Sequence, residues 1–300
     1  MPIFTITGAT GSIGKALVNK LLEQGHKVRI LSTRKGYKWT GVDVFHWNPK
    51  ENIIDEAALE GCDHLLHLAG ATVSKRWTPS YKREINNSRV YTSKVLSDAL
   101  ERISKGPVSC VSASAIGYYG SSDTELFTEK CPPANDFLAA VTENWERYTK
   151  RFETPTCRSI QLRIGIVLDK GAGVLGKLVP LANAGIASPL GTGKQWTSWI
   201  HVSDLAEMFI HAAMKPVESG AYNAVASIPL DNKALTKAIC TTLHRPMILP
   251  AVPGFLLKLV LGEMATLALM SQKVSNSKIL DAGFKFHHED INAALVDLLK

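Results

Sequence analysis

The chain has 300 residues, 45% of them apolar, and carries a formal charge of +7. That apolar share is enough for a large core in one large or two closely joined domains, and it excludes a disordered chain. The basic residues are scattered in pairs and triplets without interleaved aromatics, so phosphate-bearing small molecules, not nucleic acid, are the expected partners.

The first predicted element is an apolar strand, Ile3 to Ile6, which runs through Thr7 into Gly8, Gly11 and Gly14; helical periodicity follows from Lys15 to Gln24. Strand, glycine turn and helix form a phosphate-binding arrangement. Gly8 turns the chain sharply, Gly11 clears the backbone's approach to a pyrophosphate, and Gly14 lets helix and strand pack closely. The start of the helix, through Thr10, Ser12 and Ile13, offers unpaired N–H groups to the phosphates.

Lys27 to Thr33 reads as the second strand. An NAD-specific site places Asp or Glu at its end to hold the ribose 2′-hydroxyl, whereas this chain has Ser32, Thr33, Arg34 and Lys35. Hydroxyls followed by cations favour the 2′-phosphate of NADP.

Val42 to Trp47 is predicted as a third strand, Ile53 to Leu59 as a small helix, and His64 to Leu68 as a fourth strand ending in the small residues Ala69 and Gly70. His67, in an apolar strand, is expected to be a satisfied core histidine. A long helix lies within 77–104, and Val108 to Val111 starts a fifth strand that leads to Ser114, Gly117, Tyr118, Tyr119 and Gly120. The alternation implies an α/β, Rossmann-type doubly wound parallel sheet with its ligand at the strand ends.

Five cysteines, at 62, 110, 131, 157 and 240, have neither metal-ligand nor redox spacing, so no metal is expected and reduced thiols point to a cytoplasmic protein. The N-terminal stretch lacks the basic region of a signal peptide. The apolar run from Gly254 to Met270 contains Lys258 and Glu263 and is too short to span a membrane. It reads as a buried helix or a subunit contact, compatible with a homodimer.

The GATGSIG turn, the HLAG strand end, SASAIGYYG, Arg163 with Gly165, and WIHVSDLA at 199–206 together resemble the extended branch of the short-chain dehydrogenase/reductase superfamily. PLGTGKQWT, RPMILPAVP, LGEMA and LDAGFKF resemble its atypical, nucleoside-diphosphate-sugar epimerase-like subfamily more closely. The resemblance implies NADP lying across the turn, contacting Thr33 and Arg34 at its ribose phosphate and meeting Leu68 and Ala69. It also points to Glu84 and Arg89 on the long helix, to Val167, and to Ser114 as the substrate-orienting serine.

The superfamily's chemistry normally uses a tyrosine whose pKa is lowered by a lysine four residues later on the same helix face. No tyrosine of this chain has lysine at that spacing. The helix expected at 136–152, with Asn135 as its N-cap, has Phe137 or Leu138 in the tyrosine's place and Val141 or Thr142 in the lysine's. On it, Trp145 reads first as core and Glu146 as surface, with both as pocket residues second, and Glu146 is the only nearby titrating group to stand in for the pair. Ser114 and Tyr118 remain as catalytic candidates.

In the second half, Thr156 to Leu168 reads as one apolar strand interrupted by Arg158 and Arg163. Asp169 to Gly176 and Pro189 to Trp199 suit a mobile lid, in which Trp196 and Trp199 either stack on a flat ligand or pack under the loop, and Lys194 and Gln195 face substrate. Ser203 is expected to cap a helix from Asp204 to Met214, with His201 structural; helices over 232–243, 255–270 and 290–299 complete the chain. The implied division is a cofactor-binding domain of 1–168, rejoined by 199–225, and a smaller, mostly helical substrate domain of 169–198 and 226–300. Two functions follow: an NADP-dependent oxidoreductase or epimerase-like enzyme acting on a small carbonyl, hydroxyl or nucleotide-linked compound, or a non-catalytic NADP-binding redox sensor.

Overall fold

The computed structural model describes residues 1–300. Its first half alternates strand and helix: β1 (Ile3–Thr7), α1 (Ser12–Glu23), β2 (Lys27–Ser32), β3 (Asp43–Asn48), β4 (His64–His67), α2 (Pro79–Leu100), β5 (Ser109–Ala115), α3 (Phe137–Thr149) and β6 (Arg158–Ile164). The second half adds β7 (Ile166–Asp169), α4 (Gly173–Asn183), β8 (Trp199–His201), α5 (Val202–Met214), β9 (Gly220–Ala224), α6 (Asn232–Thr242), α7 (Gly254–Leu261) and, at the end of the chain, α8 (Ile291–Leu299), with shorter turns between.

The main sheet runs β9–β6–β5–β4–β1–β2–β3, parallel throughout, and ends in an antiparallel two-residue strand, Ile53–Ile54. This is the Rossmann-type architecture expected from the alternation, with a helical C-terminal part. The order reverses between β1 and β4, and that reversal opens a crevice at the carboxyl ends of the strands. Strands buried on both faces need apolar residues throughout, and Phe4, Ile6, Ile30, Leu66, Val111, Ile160 and Leu162 join one core cluster. A second cluster gathers Leu168, Leu175, Trp199, Leu235, Ile239, Leu295 and Leu298, all from the C-terminal half. No helix is long and apolar enough to cross a membrane.

Several local expectations are corrected. Residues 53–59 form the short strand and a single 3-10 turn, Glu56–Ala58, capped by Asp55, instead of a helix. The strand expected over 156–168 is two strands that break at Gly165 and enter different sheets. A Cβ at Gly165 would lie 2.5 Å from the Ser198 carbonyl oxygen, so only glycine allows this crossing. Asp136, not Asn135, caps α3 by accepting from the Leu138 and Ala139 N–H groups. His201, not Ser203, caps α5, its Nδ1 accepting from the Ser203 N–H. The run from Phe255 to Met270 is no single helix: α7 stops at Gly262, whose φ of +61° is left-handed.

The lid expectation also fails. Asp169–Ala172 is a tight turn leading into α4, and 189–199 is fastened by the Gly191 N–H to the Val252 carbonyl and by the Gln195 amide to the Leu190 and Ala268 carbonyls. Gln195 is thereby buried and does not face a ligand.

Candidate functional site

The glycine turn closes over the tip of β1. Gly8 has φ +71°, and a Cβ there would meet the Ala69 nitrogen and the Leu68 carbonyl carbon at 2.9 Å. Leu68 and Ala69, on the next strand's end, therefore lie directly against the turn. A Cβ on Gly14 would fall 2.4 Å from the Gly8 carbonyl oxygen, so α1 can pack this close only without a side chain. Gly11 is the N-cap of α1 and contributes no side-chain bond, which leaves the N–H groups at the start of the helix free to face an anion. Ile13 packs inward beside the main core, while Ser12 bonds the Asp169 carboxylate at the end of β7. Val167, two residues earlier, packs between the two core clusters, near α1.

A cleft of about 450 Å³ opens beside this turn. Gly8 and Thr10 line it from the turn, Thr33 and Arg34 from the end of β2, and Ala69 and Gly70 from the end of β4. Sequence reasoning thus names much of one cleft. Arg34 is exposed and its side chain has no ion-pair or hydrogen-bond partner; its Cζ atom lies 6.0 Å from the centre of the Tyr37 ring. The opposing wall was missed: Trp47 and Asn48 end β3, Pro49 and Lys50 follow it, and Ser88, Tyr91 and Thr92 face in from α2. The signal for the first group was WNPK at the end of a strand that neighbours β2.

Glu84 and Arg89 lie on α2 and differ in setting. Glu84 reaches Lys50 at 3.1 Å near the cleft mouth. Arg89 is packed under Gly70, stacks 4.8 Å from the Trp145 ring, and donates to the Ala71 and Ile85 carbonyls. Its burial lowers its pKa to about 10. His67 is a satisfied core histidine, as expected: Nδ1 pairs with the Thr7 hydroxyl at 2.7 Å and Nε2 with Ser93 at 3.1 Å, and burial pushes its pKa down to about 3.

The second group of candidates is a closed network. Glu146 is 4% exposed, overturning the surface reading, whereas Trp145 is core as expected. Arg163 donates to both Glu146 oxygens at 2.8 Å, Ser114 donates to one of them at 2.6 Å, and Arg163 also donates to the Tyr119 hydroxyl at 2.9 Å. The Tyr119 hydroxyl in turn donates a hydrogen bond to the Asn223 side-chain oxygen at 2.6 Å. Burial alone would lower the Arg163 pKa, but the bonds and charge of Glu146 outweigh it and hold the guanidinium firmly protonated. Burial raises Tyr119 to about 12. Ser114 is thus committed to holding a carboxylate.

Tyr118 is half-buried and covers this network, its ring 3.6 Å from the Arg163 guanidinium carbon, while its hydroxyl is not tied up in the bonds around Glu146. Burial raises its pKa more than the Arg163 charge lowers it, so the phenol is protonated at neutral pH. It can donate a proton but is a poor base. Leu138 and Val141 sit in an apolar cluster with Trp77 and Ile85, and Met264, Leu267 and Met270 from the C-terminal segment pack against it. The Thr142 hydroxyl bonds its own helix at the Leu138 carbonyl.

The aromatic candidates for substrate divide. Trp199 is completely buried in the second core, its indole N–H on the Ile228 carbonyl, and has no face to offer a ligand. Trp196 is partly exposed, donates to the Asp123 carbonyl and lies under Lys273 at 4.7 Å. All five cysteines are free thiols; Cys110 and Cys157 approach to 3.6 Å between sulfurs.

Residues 4–225 match the model of the NAD dependent epimerase/dehydratase family, and residues 252–298 match a domain of unknown function, DUF1731. The epimerase family protein SDR39U1 homolog of Arabidopsis thaliana, described as chloroplastic, is 36% identical over 97% of this chain and 85% of its own length. Epimerase family protein SH2119 of Staphylococcus haemolyticus is 35% identical over 100% of this chain and 99% of its own. Among solved structures, human epimerase family protein SDR39U1 (isoform2) with NADPH is similar at a TM-score of 0.89 and 28% identity, covering 99% of this chain and 98% of that one.

Proposed function

The chain belongs to the NAD dependent epimerase/dehydratase family, as an NAD(P)-binding protein, and from that premise we propose that it binds NADP(H) and acts as an oxidoreductase or epimerase-like enzyme on a small carbonyl, hydroxyl or nucleotide-sugar-like compound. The observation that carries the cofactor reading is Arg34: an exposed guanidinium without a partner, beside the Thr33 hydroxyl, lining the cleft where an NAD-specific site would need a carboxylate. The NADPH held by the human relative supports it.

The residues present fit such a group. The Gly8 and Gly14 positions leave room that a Cβ would fill, and the start of α1 has no side-chain cap to compete with a pyrophosphate. Gly8, Thr10, Gly11, Ser12, Ile13 and Gly14 would hold the pyrophosphate, Thr33 and Arg34 the 2′-phosphate, and Leu68, Ala69, Gly70, Glu84, Arg89 and Val167 the remainder. When bound, NADP(H) supplies or accepts a hydride. This chain's own contribution to the chemistry is then a proton, and Tyr118 is the phenol free to deliver it, since Ser114 and Tyr119 are held in the network around Glu146 and Arg163. Residues 1–168 with 199–225 would form the cofactor-binding half and 169–198 with 226–300 the substrate half. The unpaired thiols fit a cytoplasmic setting.

A second reading, a non-catalytic NADP(H)-binding redox sensor, draws on the missing pair: Phe137 or Leu138 stands in the tyrosine's place and Val141 or Thr142 in the lysine's, none of them able to titrate. NADPH oxidation followed across a broad panel of carbonyl compounds separates the two. Turnover that falls at least about tenfold in Tyr118→Phe, with NADPH affinity unchanged, supports the enzyme with its phenol donor. Tight NADPH binding without turnover of any carbonyl, together with a partner captured in one redox state only, supports the sensor.

A further inference from the structure

The cleft that Arg34 lines has a second cation. β2 and β3 are parallel neighbours with Ser32 opposite His46, so continuing both chains sets Arg34 level with Asn48 and brings Pro49 and Lys50 to the same mouth. The turn that carries Lys50 is fixed in place: proline leads it, the Asn52 N–H closes on the Pro49 carbonyl, and Asn52 itself adopts φ +57°. Lys50 meets both oxygens of Glu84, at 3.1 and 3.3 Å, yet its side chain is 68% exposed and that of Glu84 40%. An ion pair this open to water is weak and exchanges readily for a stronger anion.

We propose that Lys50 is the second cationic ligand of the 2′-phosphate, held over the cleft by Glu84 and passed to the phosphate when the cofactor enters. The proposal rests on the NADP(H) reading above and adds a residue from the β3 side that the family resemblance does not name. The physical reason is charge: a phosphate monoester carries about −1.5 to −2 at neutral pH, more than one carboxylate offers, and a single planar guanidinium does not satisfy three acceptor oxygens. Glu84 serves as a placeholder. It keeps a long, flexible side chain near its working position before the cofactor arrives, which reduces the ordering cost of binding.

The test is a fluorescence titration of NADPH and of NADH against wild type, Lys50→Ala and Lys50→Arg, repeated at two salt concentrations. The exposed position leaves the fold intact, and thermal melting verifies that. The expected result is that Lys50→Ala weakens NADPH about tenfold and NADH less than about twofold, with a shallower salt dependence for NADPH, while Lys50→Arg retains most of the preference. Equal weakening of both cofactors, or unchanged NADPH affinity in Lys50→Ala, overturns the role of Lys50 and leaves the NADP(H) reading standing if wild type still prefers NADPH. Wild type that binds the two cofactors equally overturns the NADP(H) reading, and this proposal with it.

Discussion

Two polar regions lie on the same sheet and are built in opposite ways. At the mouth beside the glycine turn, a helix start lacks a cap, Arg34 lacks a partner and Lys50 has only an exposed one. Behind β5, every oxygen of Glu146 and three donors around it are mutually satisfied and out of water. Polar groups left open at a surface cleft are free for a ligand; polar groups that close on one another hold the structure together.

The comparison breaks if the closed network turns out to be dispensable. Glu146→Ala leaves Arg163 charged and buried without its counter-ion, and the account predicts a loss of about 3–5 kcal/mol in urea unfolding; a stable variant that has lost only turnover would make Glu146 catalytic instead. At the mouth, the effects should fall on affinity and spare stability. Arg34→Asp is expected to weaken NADPH by roughly ten- to a hundredfold, about 1.5–3 kcal/mol, with a melting temperature close to wild type.

A third effect comes from His67, beneath the turn. Burial holds it neutral down to about pH 3 in the fold, against 6.5 for an ordinary histidine. The unfolded chain therefore binds the extra proton first as pH falls. Stability is fully present above about pH 6.5 and declines toward pH 3, by about 2 kcal/mol at pH 5 from this residue. His64, lowered to about 4 by burial, adds a slope of the same sign. His67→Asn should flatten part of the acid limb of a stability profile measured by urea melts. The smallest effect sharpens the network: Ser114→Ala removes one of three donors to Glu146 and should cost only about 1 kcal/mol, whereas a fall in turnover with unchanged stability would restore Ser114 to the chemistry.

The fold was legible because it rests on periodic features: apolar strands that alternate with helices, and glycines whose spacing admits one geometry. The cleft was legible wherever its lining residues come just after a strand, as Gly8, Arg34 and Ala69 do. Lys50 was hidden because its role depends on which strand lies beside β2. Glu146 looked like surface because its partner, Arg163, is 17 residues away on another element and only the sheet brings them together. Trp199 was open to two readings, stacking on a ligand or packing under its loop, because a local stretch does not show what covers it; residues from the C-terminal helices bury it and decide for packing. The lid failed for a related reason: backbone bonds to Val252 and Ala268 cannot be read from a local stretch.

The central claim is that the open cations at the end of β2 select NADP(H). Isothermal titration of the wild-type protein with NADPH and NADH under one buffer and salt condition tests it most directly. NADPH is expected to bind tighter by at least about tenfold, a preference that disappears in Arg34→Asp. Equal affinities in the wild type, or a preference that survives the loss of Arg34, would contradict it.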